Sequence, residues 1–181
     1  MKEKAYILNE NDIDRIIRRI SHEILEKNKG PENLVFIGLQ KRGVPLSRRI
    51  AENIETFEGI KIKTGKLDIT FYRDDIGHNI KPVAQITDIS FDIEGKNIIL
   101  VDDVLYTGRT IRAAMDALID FGRPRSIQLV VLIDRGHREL PIRADYVGKN
   151  LPTSRNESVE VKLKEIDGAD SVIVIQKEEV C

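Results

Sequence analysis

The sequence predicts an α/β fold with a central, mostly parallel sheet flanked by helices and a small cap built from terminal segments. Predominantly apolar runs at 34–39, 98–101 and 127–133 are typical of strands that are buried on both faces of a sheet. Amphipathic helical patterns alternate with these runs along the chain. This alternating order indicates right-handed crossovers between parallel strands.

In the first half of the chain, two predicted helices lie on either side of a predicted buried strand. Isoleucines at helical spacing between Ile13 and Ile24 predict a helix over 12–29, which Gly30 and Pro31 would end. The strand at 34–39 precedes a helix over 44–54, and Pro45 fits its first turn. A strand at 61–71 should follow, and the polar segment 72–87 should be a long excursion.

In the second half, an acidic pair follows the apolar run 98–101, and a helix is predicted over 110–121, ended by Gly122. The strand at 127–133 precedes a turn rich in basic residues. Three shorter strands are predicted at 144–147, 159–163 and 171–175. The short terminal elements should form the cap.

Composition limits the classes of function. A chain of 181 residues fits one domain over 1–181 with a substantial core. The formal net charge of -1 gives no global basic field, so any contact with nucleic acid must come from a local patch. Cys181 is the single cysteine, which excludes disulfides within the chain and metal sites built from several thiolates.

Hydropathy predicts a soluble protein, and we expect a cytoplasmic one. No apolar run approaches the roughly 20 residues that a membrane span requires. The first residues, Met-Lys-Glu-Lys-Ala, contain no apolar signal core.

The segment 98–110, Ile-Ile-Leu-Val-Asp-Asp-Val-Leu-Tyr-Thr-Gly-Arg-Thr, is the most informative part of the sequence. Open α/β sheets bind ligands beyond the carboxyl ends of their strands, which is where Asp102 and Asp103 are predicted to lie. Helix N–H groups and the hydroxyls of Thr107 and Thr110 favour a phosphate, and Gly108 permits close approach of the backbone. Carboxylates accept hydrogen bonds from ribose hydroxyls, so the segment predicts a phosphorylated sugar as ligand.

Two features of these loops have alternative interpretations. A strand ending in an acidic pair also occurs in magnesium-binding α/β proteins. Gly38 and Gly43 have the spacing of a phosphate-binding Walker loop, but Val44 and Pro45 follow instead of Lys and Ser or Thr. No Gly-x-Gly-x-x-Gly sequence occurs in the chain.

The thirteen residues of 98–110 resemble the phosphoribosyl-pyrophosphate (PRPP) signature of the type I phosphoribosyltransferases. The resemblance implies the fold of that family, in which the cap is called the hood and covers the base. It also implies that PRPP or a nucleotide is bound by Lys41, Arg42, Gly43, Asp102, Asp103, Val104, Leu105, Tyr106, Thr107, Gly108, Arg109 and Thr110. The first three of these resemble the family's pyrophosphate loop; a Lys-Arg pair before a helix is otherwise often simple surface.

The same resemblance implies the catalytic residues. Asp102 and Asp103 would contact the ribose hydroxyls or the waters of Mg²⁺, and this ion would be held mainly by PRPP and waters rather than by the protein. Arg73 lies in a segment that resembles the family's flexible loop and would neutralise the pyrophosphate, although a solvated hairpin tip is an alternative. Tyr106 stands where several purine-specific relatives have an aspartate, which argues against a purine substrate. Arg135, just beyond a predicted strand, is the candidate contact of the nucleobase.

The basic turn carries a second resemblance. Residues 134–150, with Thr153-Ser154-Arg155 and the pattern Val159-x-Val161-x-Leu163-x-Glu165, resemble the pyrimidine-operon regulators within this family, which bind RNA and have uracil phosphoribosyltransferase activity. The resemblance implies an RNA-binding face formed by Arg19, His22, Lys27, His137, Arg138, Arg143 and Lys149. On composition alone a solvated charged face is the alternative, because Tyr146 is almost the only aromatic residue of this patch.

The sequence therefore favours a uridine-nucleotide-dependent regulator of pyrimidine genes that also makes UMP from PRPP and uracil. Its expected partners are a pyrimidine-operon leader mRNA, PRPP, uracil and UMP or UTP. Two alternatives remain open: a nucleobase phosphoribosyltransferase without RNA binding, for uracil or less favourably a purine, and a regulator with a vestigial active site. Members of the family form dimers and higher assemblies, so a homodimer or larger homo-oligomer is expected.

Overall fold

The computed structural model describes residues 2–70 and 86–176. Its elements, in chain order, are β1 (Lys2–Leu8), α1 (Glu10–Asn28), β2 (Leu34–Leu39), α2 (Gly43–Glu58), β3 (Lys63–Leu67), β4 (Asn97–Leu105), α3 (Arg109–Ile119), β5 (Ser126–Asp134), β6 (Tyr146–Asn150), β7 (Glu157–Lys162), α4 (Lys164–Asp167) and β8 (Ser171–Gln176). In the described part of the chain, no helix is both long and apolar enough to cross a membrane.

The larger sheet has five strands in the order β3-β2-β4-β5-β6, and all its neighbouring strands run parallel. The central strands are apolar because both of their faces are covered by helices or loops. One apolar cluster joins the sheet to α1 and α2, and a second joins its opposite face to α3. The predicted parallel α/β architecture is confirmed.

The smaller sheet has three antiparallel strands in the order β1-β8-β7, and it forms the predicted hood. Val161 and Val172 from this sheet are buried in the same apolar cluster as α1 and α2. Strand β1 was not predicted, because its first residues, Lys-Glu-Lys, are charged and its conformation depends on pairing with β8. The two ends of the described chain therefore meet in one sheet.

Several element boundaries differ from the predicted ones for local reasons. Helix α1 begins at Glu10 instead of 12, because Asn9 and Asp12 form a reciprocal capping box. Helix α2 continues past 54 to Glu58, where Gly59 adopts the left-handed conformation that ends it. Strand β3 is shorter than predicted and ends at Leu67, the last residue paired with β2.

Candidate functional site

The acidic pair lies within β4 and not beyond its end. Asp102 pairs with Val131 of β5, and the ladder continues to Leu105, so the strand extends four residues past the end of the predicted apolar run. Asp102 is buried and Asp103 is half-buried. Successive residues of a strand point to opposite faces of the sheet, so the two carboxylates flank β4 from its two sides. The side chain of Asp102 accepts a hydrogen bond from the N–H of Asp103 (2.9 Å).

Beyond β4, the loop 106–108 leads directly into α3. Gly108 has φ 93°, a left-handed conformation that favours glycine, and it stands at the N-cap of the helix. The Thr107 hydroxyl accepts a hydrogen bond from the N–H of Arg109 (3.4 Å). The first turn of α3 has backbone N–H groups without partners inside the helix, so this end of the helix is a favourable site for an anion.

A cavity of about 320 Å³ lies at this loop. Nine of its ten lining residues belong to the PRPP signature or directly follow it, and the tenth belongs to the basic turn. The lining residues are Asp102, Val104, Leu105, Tyr106, Thr107, Gly108, Arg109, Thr110, Ile111 and Glu139.

The predicted pyrophosphate loop connects β2 to α2. Its Gln40–Lys41 peptide bond is cis, and the N–H of Gln40 donates to the carbonyl of Leu67 (3.0 Å). Gly43 is packed so closely on β4 that a Cβ atom there would lie 2.2 Å from the carbonyl oxygen of Val101. The loop therefore sits directly against the strand that carries the acidic pair.

The two cations of this loop have different surroundings. Lys41 is exposed, and its side chain makes no hydrogen bond or ion pair within residues 2–70 and 86–176. The guanidinium of Arg42 donates to Asp167 of α4 through Nη2 (2.8 Å) and Nε (3.1 Å). The hydrogen bond that Arg42 donates to Asp167 raises the pKa of Arg42, and the charge of Asp103 contributes to the same shift.

Arg135 connects the signature loop to the hood. It is buried, its Nε donates to Thr153 (3.0 Å), and Nη2 donates to the carbonyl of Glu157 (2.7 Å). Its Cζ atom lies 4.0 Å from the centroid of the Tyr106 ring, a cation–π contact. Arg135 therefore stands beside the cavity, although much of its hydrogen-bonding capacity is used within the protein.

In the basic turn, Arg138 is held inside the structure. It donates to the carbonyls of Ile142 (2.9 Å) and Tyr106 (2.8 Å) and forms an ion pair with Asp134. The carbonyl of Thr107 also accepts hydrogen bonds from two backbone N–H groups of this turn. The turn therefore supports the signature loop from behind.

The other residues predicted for the RNA-binding face occupy several positions. Arg19 of α1 donates to the carbonyls of Val147 and Gly148, and it lines one cleft with Lys149. Lys27 pairs with Asp145 (2.6 Å), and His22 stacks on Phe57. The remaining two are exposed: His137, which contacts the carbonyl of Thr153, and Arg143. The structure brings Arg19 and Lys149 together and places His137 and Arg138 beside the signature loop.

Arg73 and Tyr146 are the remaining residues named from the sequence. Arg73, predicted to close over the reacting centre, lies outside the described residues. Tyr146 is not an exposed aromatic surface: it is 3% exposed, its hydroxyl donates to Gln128, and burial raises its pKa to about 12. Tyr146 therefore supplies no exposed ring surface to the basic patch.

The ion pairs that hold the hood against α2 were not predicted from the sequence. Arg49 of α2 makes two hydrogen bonds to Asp170 (2.6 and 2.9 Å) and two to Glu165 (2.6 and 2.8 Å). Burial opposes a charge on Arg49, but its two acidic partners outweigh that effect and raise its pKa. The partners are more than 110 residues apart in the chain, and no local pattern marks them.

Comparison with known proteins identifies the class of this site. The phosphoribosyl transferase domain family matches residues 5–166. A hypoxanthine phosphoribosyltransferase from Trypanosoma cruzi shares the fold with a TM-score of 0.71 at 21% identity, over 97% of this chain and 98% of that one. One from Staphylococcus aureus has a TM-score of 0.72 at 25% identity, over 99% and 96%. The parallel sheet, hood and signature loop thus define a phosphoribosyl transferase domain.

Proteins of similar sequence show to which group of phosphoribosyl transferases the chain belongs. A protein named bifunctional protein PyrR from Clostridioides difficile is 60% identical, over 96% of this chain and 99% of its own. Its namesake from Deinococcus radiodurans is 56% identical, over 98% and 97%. The chain belongs to the phosphoribosyl transferase family and, within it, to the bifunctional PyrR proteins. The resemblance inferred from 98–110 and the basic turn is confirmed, whereas the roles of single residues stay predictions.

Proposed function

We propose that this chain is an RNA-binding regulator of pyrimidine biosynthesis genes that responds to uridine nucleotides, and that it also transfers phosphoribosyl from PRPP to uracil. One observation carries the proposal: the loop 106–110 and Asp102 line one cavity, and the pyrophosphate loop packs through Gly43 against the same strand at the same edge of the parallel sheet. The membership in the bifunctional PyrR family supports both halves.

In the proposed reaction, a nitrogen of uracil attacks C1 of PRPP while the bond from C1 to pyrophosphate breaks. The products are UMP and pyrophosphate, and the uracil nitrogen loses its proton. Because the transition state has oxocarbenium character, the protein's main tasks are to position the reactants, to stabilise the leaving group and to exclude water.

The residues divide these tasks. Asp102 and Asp103 hold the ribose hydroxyls, and the loop from Thr107 to Thr110 with the first turn of α3 holds the 5′-phosphate. Lys41, Arg42 and Gly43 receive the pyrophosphate, the cations through charge and the glycine through close approach of its backbone. Arg73 is proposed to add positive charge to the leaving group. Val104, Leu105, Tyr106 and Arg109 complete the walls of the nucleotide site.

Mg²⁺ is proposed to enter with PRPP, coordinated mainly by phosphate oxygens and waters. The residues present fit this ion, since the carboxylate of Asp102 lines the cavity and supplies the hard oxygen atoms that it prefers. When bound, it would neutralise part of the pyrophosphate charge.

Arg135 and Tyr106 are the proposed neighbours of the base. Their cation–π contact places a rigid, partly polar surface next to the cavity. A tyrosine at position 106 has no carboxylate with which to take a proton from a purine, so uracil is the preferred substrate.

The RNA-binding half of the proposal uses Arg19, His22, Lys27, His137, Arg138, Arg143 and Lys149. Arg143 and Lys149 are exposed and make no side-chain hydrogen bond or ion pair within the described ranges, so they can contact phosphates directly. Arg138 contributes by holding the turn. The proposed RNA is a pyrimidine-operon leader, the protein acts in the cytoplasm as a homodimer or larger homo-oligomer, and UMP or UTP in the nucleotide site favours binding.

Two experiments test the two halves separately. Incubation with PRPP, Mg²⁺ and one base at a time should give UMP with uracil, whereas turnover with hypoxanthine and none with uracil would overturn the substrate. Filter retention of a leader hairpin at moderate salt should increase when UMP is added. If the hairpin is not retained with UMP present, the regulatory half fails and the enzyme-only alternative stands.

A further inference from the structure

His22 and Phe57 form a stacked ring pair on the surface of the molecule. Their ring centroids are 4.2 Å apart and their planes are 11° from parallel. His22 lies on α1 and Phe57 lies near the end of α2. Both residues are exposed, so the pair presents ring surface to the solvent.

The pair is not needed to join the two helices. The contact between α1 and α2 already buries isoleucines from both, including Ile17, Ile20, Ile50 and Ile54, and none of these is more than 3% exposed. Phe57 nevertheless keeps 37% of its surface exposed, in a chain in which aromatic residues make up 5%. Core packing therefore does not explain why the phenyl ring of Phe57 is exposed beside the exposed imidazole of His22.

The charges around the pair indicate the kind of partner. Arg15 and Arg18 precede His22 by seven and four residues, so the three side chains lie on one face of α1. Both arginines are exposed, and neither makes a side-chain hydrogen bond or ion pair in the described part of the chain. Arg19 and Lys27, by contrast, are paired with acidic side chains. The ring pair is therefore next to two unpaired cations, of which Arg18 also lines a cleft with Asp14, Glu52 and Glu165.

This combination of flat ring surface and unpaired cations is how proteins bind unpaired nucleotides. Bases stack on aromatic or histidine side chains, and Arg or Lys holds the adjoining backbone. An apolar protein partner would fit this face less well, because it would have to desolvate both arginines. Tyr146, the other aromatic residue of the basic patch, is buried and cannot stack on a base.

We infer that His22 and Phe57 form a stacking platform for one unpaired base of the RNA, with Arg15 and Arg18 on the flanking phosphates. The inference rests on the RNA-binding half of the proposed function and adds Phe57, Arg15 and Arg18 to its contacts. The platform also explains how a face with few aromatic residues can select unpaired RNA over duplex.

The test compares Phe57→Leu with wild-type protein in the presence of UMP. Leucine keeps an apolar side chain on α2 but removes the flat ring, so affinity for the leader hairpin should fall about tenfold. The matched control is Phe121→Leu, which removes another phenylalanine exposed just after a helix, 44% exposed, and should bind like wild type. Thermal unfolding of both variants checks that they are folded.

A second measurement reads the stacking itself. With 2-aminopurine placed in turn at each unpaired position of the hairpin, wild-type protein should quench one position, and Phe57→Leu should not. If wild type retains the hairpin but Phe57→Leu binds equally well and quenches equally, the platform is wrong and the proposed function stands. If wild type itself fails to retain the hairpin, the regulatory half of the proposed function and the platform both fall.

Discussion

Arg42 and Asp167 form a two-point ion pair, with Nη2 to Oδ1 at 2.8 Å and Nε to Oδ2 at 3.1 Å. Their hydrogen bonding raises the pKa of Arg42 and lowers that of Asp167. Asp167 belongs to α4, between the second and third strands of the hood along the chain, whereas Arg42 belongs to the predicted pyrophosphate loop. A pyrophosphate group that engages Arg42 must therefore compete with a carboxylate of the hood.

Removing the charge of Asp167 should improve PRPP binding. In Asp167→Asn the competing carboxylate is lost, and since a partly exposed ion pair is worth up to ~1 kcal/mol, the KM for PRPP should fall by about threefold. Initial rates with varied PRPP and saturating uracil measure it. Asp116→Asn on α3, which removes a carboxylate from an exposed pair with Arg112, is the control and should leave the KM unchanged. A higher KM in Asp167→Asn would mean that Asp167 orients Arg42 for its substrate.

The stability of the hood should depend on Asp170. Its side chain is 0% exposed and holds Arg49, of which 12% is exposed. Asp170→Asn leaves a largely buried guanidinium without its main partner, so the free energy of unfolding should fall by about 3 kcal/mol. Denaturant unfolding measures this loss, and Asp116→Asn should change stability by less than about 0.5 kcal/mol.

The same contacts predict an acid dependence. Burial tends to raise the pKa values of Asp170 and Glu165, but hydrogen bonds from Arg49 outweigh it and lower both. The unfolded chain then binds protons at a higher pH than the folded one, so stability should fall as the pH drops below about 4.5 and further below 3.8. Asp170→Asn should lose less stability across this range than wild type. An equal loss in both proteins would place the acid sensitivity elsewhere.

The parts of the fold set by local pattern were predictable, and those set by distant pairing were not. The runs in β2, β4 and β5 are apolar because these strands are buried on both faces, and their sequence shows it directly. Strand β1 begins with charged residues and exists because β8 offers it a partner. The end of β4 was misplaced because Asp102 keeps its ladder position although its side chain is charged.

The candidate site shows the same division. The signature loop could be located because Asp102, Thr107 and Gly108 lie close together in the sequence. The partners of Arg42, Arg49 and Arg135 could not be predicted. The carboxylates that bind Arg42 and Arg49 are more than 110 residues away in the chain. The carbonyl that binds Arg135 is 22 residues away, beyond a loop. Sequence alone also does not distinguish a buried tyrosine from an exposed one, so the burial of Tyr146 was not predicted.

Replacing Gly43 should displace the pyrophosphate loop. A Cβ atom at Gly43 would lie 2.2 Å from the carbonyl of Val101, so Gly43→Ala must push α2 away from β4 and should cost about 1–3 kcal/mol of stability. Because Lys41 and Arg42 move with Gly43, kcat/KM for PRPP should fall. The factor of this fall should be larger than the factor by which the KM for uracil changes. Gly59→Ala is the comparison: its φ is 68° with no atom within 4 Å, so it should lose about 1 kcal/mol of stability from backbone strain and keep its activity.

Arg138 and Arg143 should separate support of the site from contact with RNA. Arg138 holds the carbonyl of Tyr106, so Arg138→Gln should loosen the signature loop and lower both uracil turnover and RNA affinity. Arg143 is exposed and unpaired within residues 2–70 and 86–176, so Arg143→Gln should weaken RNA binding alone, by removing one phosphate contact. The slope of log K against the logarithm of the salt concentration should become shallower by ~0.7, the value for one phosphate contact to single-stranded RNA. If Arg143→Gln lowered turnover as much as Arg138→Gln, the basic turn would act on the site as a unit and not present a separate RNA contact.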